Sequence, residues 1–256
     1  SLSQCLLEVI SGQVAVSELI EVRSSVELPS HRENITLETR DGLKLVGELA
    51  TPVGRAAKAT LIMLHPLPTH GGFMDSHIYR KAANRLPALA DLAVLRFNTR
   101  GTTSPHGTSE GEFGEGVTEV ADVMAAVAFA KNQGLTDLWV VGWSFGTELA
   151  LKYAVHEDVL GAILLSPPLH RTSDEELLRW NASDKKLVAL IPEFDDYLTP
   201  EQAALRFAIV PKIELVAVEG AKHLWVGEVA TKRVLDEIVR VVNPAKYPLA
   251  ETFQLG

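Results

Sequence analysis

Apolar residues along this chain fall into short continuous runs, separated by stretches in which they recur every three or four positions. The continuous runs are ATLIMLH (59–65), LAVLRFN (92–98), LWVV (138–141), VLGAILL (159–165), KLVALIP (186–192) and KIELVAV (212–218). Their length and β-branched content predict buried strands. The intervening stretches predict helices: one ending near Ala90, then VTEVADVMAAVAFAKNQG (117–134), TELALKYA (147–154), DEELLRW (174–180), a helix from Pro200 to about Ile209, and VGEVATKRVLDEIVRVV (226–242). Thr199-Pro200-Glu201-Gln202 opens the fifth of these with a capping threonine, a first-turn proline and a glutamine three residues after the cap. Gly134 is a helix stop.

Ahead of this alternation, ITLETRDGLKLVGELATP (35–52) reads as a hairpin, with two alternating runs about a two-residue Asp41-Gly42 turn. Residues 1–32 alternate only loosely and fit strands or short helices; they read as an accessory edge or a homodimer contact. Strand–helix alternation from residue 59 onward predicts an α/β three-layer sandwich, a mostly parallel sheet covered by helices on both faces. No linker or internal repeat divides the chain, so the expectation is one domain over 1–256, with 1–32 as the accessory segment and 33–256 as the core.

Composition narrows the function classes. The formal net charge of −9 points away from nucleic-acid and anionic-membrane partners. No apolar run approaches the roughly 20 residues of a membrane span. The single cysteine, Cys5, allows no internal disulfide and suggests a reducing, cytoplasmic compartment. The opening SLSQCLLEVISG has no basic leading segment, so no signal peptide is expected.

The chemistry is concentrated in GWSFG (142–146), between the strand LWVV and the helix TELALKYA. A Gly-x-Ser-x-Gly pentapeptide alone arises by chance in roughly one chain in ten of this length. A strand before it and a helix after it make it the sharp turn that lifts a serine hydroxyl above a parallel sheet. Ligands of such sheets bind beyond the carboxyl ends of the strands. Ser144 lies there, as do Asp195 and Asp196 after KLVALIP, and His223 after the last strand. A serine hydroxyl needs a base within reach, imidazole can take its proton near neutral pH, and a carboxylate fixes the tautomer and stabilises the imidazolium. An oxyanion formed at Ser144 needs two amides: Phe145, next after the nucleophile, and one from HPLPTHGG (65–72), where Pro66 and Pro68 have no N–H and Leu67 is the best donor.

With these residues in view, the chain resembles the α/β-hydrolase fold family, and within it the small lidless branch of dienelactone-hydrolase-like and carboxylesterase-like proteins. The resemblance rests on HPLPTHGGFMDS, LRFNTRG, EGEFGEG, GWSFG, LLSPP, Asp196-x-x-x-Pro200 and GAKHLWVG, and runs from about residue 35 to 242. It implies an eight-stranded sheet whose second strand is antiparallel, with Ser144 as nucleophile, His223 as base and Asp196, favoured over Asp195 by its spacing from Pro200, as acid. Two departures stand out. Dienelactone hydrolases proper use a cysteine where this chain has Ser144, so their particular activity is not carried over. The common His-Gly after the third strand is His65-Pro66 here.

Only a short helix fits between Ser166 and Lys185, so the expected site is open and shallow, without a large cap, lined by Leu67, Phe145, Trp143, Leu169 and Trp225; the two tryptophans fit the core equally well. His65, His70, His77 and Asp75 match no metal-ligand spacing, and no metal or cofactor is expected. EGEFGEG is acidic and lacks the lysine of a phosphate loop, and Arg100 reads as a loop anchor. The expected activity is cleavage of a carboxylic ester or related small acyl compound. Thioesterase, acyltransferase and peptidase chemistry would use the same groups, and the rival of another class is a non-catalytic ligand-binding or protein-interaction domain.

Overall fold

The computed structural model describes residues 4–10 and 13–256, with side chains from residue 18 onward. The expectation about the leading segment falls partly on residues 1–3 and 11–12, outside the described residues. In chain order the strands are β1 (Gln4–Ile10), β2 (Gln13–Glu21), β3 (His31–Glu38), β4 (Lys44–Thr51), β5 (Ala59–Leu64), β6 (Leu92–Phe97), β7 (Thr103–Ser104), β8 (Gly107–Thr108), β9 (Leu138–Trp143), β10 (Val159–Leu165), β11 (Lys186–Pro192), β12 (Glu214–Val218) and β13 (Thr252–Leu255). The helices are α1 (His77–Ala90), α2 (Val120–Asn132), α3 (Phe145–Tyr153), α4 (Asp174–Ala182), α5 (Pro200–Arg206) and α6 (Glu228–Val242).

Eight strands form one sheet in the order β12-β11-β10-β9-β5-β6-β4-β3. All neighbours are parallel except at β4, which runs antiparallel to both β3 and β6. This is the predicted mostly parallel sheet with its second strand reversed. The central strands are apolar on both faces because both are covered, and their side chains alternate between two cores. Ile62 and Leu64 of β5 join the core under α2 and α3. Leu61 and Met63 join the core under α1 and α6.

One feature differs from the sequence reading and a second, a pairing with the late strand β13, goes beyond it. The β3–β4 connection is a three-residue loop, 40–42, in which the Gly42 N–H donates to Thr39 O and the Thr39 N–H to Leu43 O. Of the Asp41-Gly42 pair only Gly42 takes a positive φ, 89°. That is a turn closed by a bulge rather than a two-residue turn. Second, β1 and β2 form a three-stranded antiparallel sheet with β13, near the far end of the chain. Thr252 pairs with Glu21 and Leu255 with Glu18.

Register brings the site together. Leu64 of β5 lies opposite Gly142 of β9, and Trp143 lies opposite Leu165 of β10. The residues that follow these strands, His65, Ser144 and Ser166, therefore emerge side by side on one rim of the sheet.

Candidate active site

Ser144 sits between the last residue of β9 and the first of α3, at φ 53° and ψ −114°. At this sharp turn strand and helix cross almost in contact. A Cβ on Gly142 would stand 2.3 Å from Gly146 O, and one on Gly146 would stand 2.0 Å from Leu64 O. The two glycines of GWSFG thus permit the approach, and the Ser144 N–H is tied to Leu165 O at 2.9 Å.

Ser144 Oγ is 2.8 Å from His223 Nε2. On the other side of the ring, Nδ1 is 2.8 Å from Asp195 Oδ2. A carboxylate opposite Nδ1 requires the proton there, which leaves Nε2 as the acceptor for the serine hydroxyl. Asp195 Oδ1 accepts the N–H groups of Tyr197 at 2.8 Å and Leu198 at 3.0 Å. Burial pushes this carboxyl upward, but the hydrogen bonds from His223 and the two amides outweigh it and hold the pKa below its ordinary value. Asp195 is therefore a stable anion under the imidazole.

The acid expected at Asp196 is corrected by one position. Asp195 is buried and meets His223, whereas Asp196 is exposed and lines the cavity. The turn after β11 folds the Asp195 side chain back under its own following amides, and the next residue faces outward. Counting back from Pro200 does not register that turn.

The cavity beside Ser144 has a volume of about 330 Å³; its lining includes apolar Leu67, Phe145, Pro168 and Leu224 together with Tyr197, His170 and Arg171. Leu67 and Phe145 line it as expected. Trp143, Leu169 and Trp225 do not; they are 2%, 4% and 0% exposed and belong to the two cores. Trp143 instead donates its Nε1–H to His223 O at 3.2 Å. The β10–β11 connection carries only the nine-residue α4, as expected for a chain without a large cap.

Among the described residues, neither the Leu67 N–H nor the Phe145 N–H has a hydrogen-bond acceptor. His65, fully buried, sets the first of these. Its Nε2 accepts the Thr99 N–H at 3.1 Å, so the ring proton is on Nδ1, which donates to Pro66 O at 2.7 Å. Burial lowers its pKa to about 4, so it stays neutral. The Pro66 carbonyl is thereby turned inward, and in a trans peptide the Leu67 N–H points the opposite way. The His65-Pro66 departure from His-Gly thus keeps an ordered loop. This role of His65 was not read from the sequence; its place directly after a central strand was the available signal.

Arg100 pairs with Asp122 at 2.7 Å and Asp41 at 2.8 Å, which makes it the loop anchor expected. No group of metal-binding side chains is found among the described residues. No helix among them is long and apolar enough to cross a membrane.

Comparison with known proteins agrees with the fold described above. Residues 61–200 match the alpha/beta hydrolase family. The chain is 33% identical over 128 residues to the uncharacterised protein RP471 of Rickettsia prowazekii (strain Madrid E), covering 46% of this chain. It spans about half the length of that curated relative, 51%. An alpha-beta serine hydrolase homologue from Coxiella burnetii superposes with a TM-score of 0.67 at 25% identity, over 82% of this chain and 97% of its own. A serine hydrolase without a lid from Xanthomonas campestris shares the fold with a TM-score of 0.70 at 23% identity, over 87% of this chain and 98% of its own. The chain belongs to the alpha/beta hydrolase family.

Proposed function

We propose that this protein is a serine hydrolase that cleaves a carboxylic ester or a related small acyl compound through an acyl-enzyme on Ser144. The observation that carries the reading is the unbroken line Ser144–His223–Asp195, with both contacts at 2.8 Å, ending on a cavity edged by two unengaged amides.

In this reading Ser144 Oγ attacks the carbonyl carbon as His223 Nε2 takes its proton. Asp195 stabilises the imidazolium and holds the ring in place. The carbonyl oxygen becomes an oxyanion received by the Leu67 and Phe145 amides. His223 then gives the proton to the departing alkoxide, leaving the acyl group on Ser144. A water enters, His223 removes its proton, and collapse of the second tetrahedral intermediate frees the acid and restores the serine. The 330 Å³ cavity is at the small end of ligand pockets, which favours short acyl groups.

The test is steady-state hydrolysis of p-nitrophenyl esters from acetate to octanoate, with acyl-thioesters alongside. Turnover is expected, highest for the short chains. Ser144→Ala is expected to lower it by on the order of 10⁶. No turnover of any ester or thioester by the folded protein would overturn the reading.

A further inference from the structure

We propose that Ser166 and Trp143 are positioning residues for the base, acting through the backbone carbonyl of His223; this rests on the serine-hydrolase reading above. Trp143 Nε1–H and Ser166 Oγ–H both donate to His223 O, at 3.2 Å and 2.9 Å. A carbonyl has two lone pairs, and here each meets a buried donor. Both donors stand at the ends of central strands. Trp143 closes β9 and directly precedes Ser144, and Ser166 follows β10 at a left-handed φ of 52°. The Ser166 N–H is itself fixed to Leu190 O of β11 at 3.0 Å.

Asp195 holds the His223 ring, but the backbone of His223 belongs to no strand or helix. It lies in the loop between β12 and α6, and loops are the more mobile parts of a fold. The two donors transfer the base to the mount that carries the nucleophile. The Ser144–His223 separation is then set by two adjacent strand ends rather than by the loop. The next carbonyl, Leu224 O, is held by His77 Nε2 at 2.7 Å, and the His77 ring packs edge-on against Trp143 with centroids 5.4 Å apart. Proton transfer needs such placement, since a misplacement of about 1 Å costs on the order of 10² in rate.

A buried hydroxyl and a buried indole N–H need acceptors in any core, so the test must separate placement from stability. Trp180 supplies the control. It is fully buried and donates Nε1–H to Leu151 O at 2.9 Å, within α3 and away from the base. The experiment compares Ser166→Ala, Trp143→Phe, their double variant and Trp180→Phe, on the ester that wild type turns over best and well below each melting temperature. The expected result is a fall in kcat of about 5–10-fold for each single site variant and about 25–100-fold for the double, with KM within about twofold and a parallel slowing of fluorophosphonate labelling. Trp180→Phe is expected to lose thermal stability while kcat stays within about twofold.

Retention of kcat within about twofold in Ser166→Ala and Trp143→Phe, or an equal loss in Trp180→Phe, overturns the proposal, and the single variants decide even where the double does not fold. If wild type neither turns over esters nor labels at Ser144, the serine-hydrolase reading falls and this proposal with it. An active wild type with unaffected variants overturns this proposal alone.

Discussion

Asp195 Oδ2 meets His223 Nδ1 at 2.8 Å, while Asp196, its neighbour in the chain, faces the cavity. One residue thus separates a carboxylate that fixes an imidazole from one that only borders the site. Asp195→Asn would present an amide where Nδ1 needs an acceptor and disturb the tautomer, so kcat is expected to fall by about 10⁴. Asp196→Asn is expected to remain within about tenfold of wild type, the change falling mainly on KM. Parallel steady-state kinetics on the two variants check this.

Leu67 has a φ of −55°, which a proline ring also adopts. Leu67→Pro would delete the N–H while keeping that backbone angle. A loss of about 10²–10³ in kcat, with a circular dichroism spectrum like that of wild type, is the expected outcome. Unchanged kcat would assign the oxyanion to another donor.

Ser144 stores strain at φ 53° and ψ −114°. Such a residue costs about 1–3 kcal/mol, and glycine relieves this at an entropic cost of about 0.5–1 kcal/mol. Ser144→Gly is therefore expected to be about 1 kcal/mol more stable than Ser144→Ala, both being inactive. Urea denaturation of the pair gives the difference directly.

His65 makes stability depend on pH. Its pKa is lowered by burial to about 4 in the fold. The unfolded chain takes up a proton near pH 6.5, so between these values the unfolded state holds more protons. Stability is thus full above about pH 6.5 and falls as pH drops toward 4, by about 3 kcal/mol in all. Asp195, held below its ordinary pKa, loses its own contribution only further into acid, as pH falls through its folded value. Unfolding free energies measured between pH 4 and 6.5 check this through their slope, which His65→Gln is expected to flatten.

The sheet was readable because its central strands carry an unmixed apolar signal, and LWVV followed by GWSFG needed no tertiary information. The capping pattern at Thr199 also reads straight into structure, with its hydroxyl accepting the Gln202 N–H. What escaped depended on contacts between distant segments. TFQL is too short to declare itself a strand until it meets β2. The choice between Asp195 and Asp196 turned on a loop in which adjacent side chains diverge. Trp143 and Trp225 were candidates for the pocket lining that fitted the core equally well, since aromatic residues near Ser144 and His223 suit either place. The side-chain direction set by the strand end, and by a left-handed Trp225 at φ 53°, decided for the core.

The proposed chemistry requires Ser144 to be an activated nucleophile. Intact-protein and peptide mass spectrometry after treatment with a fluorophosphonate tests this most directly. One phosphonyl adduct is expected, on the peptide holding Ser144, and none on Ser144→Ala. A folded wild-type protein that stays unmodified, or that carries the adduct on another residue while Ser144 is bare, would contradict it.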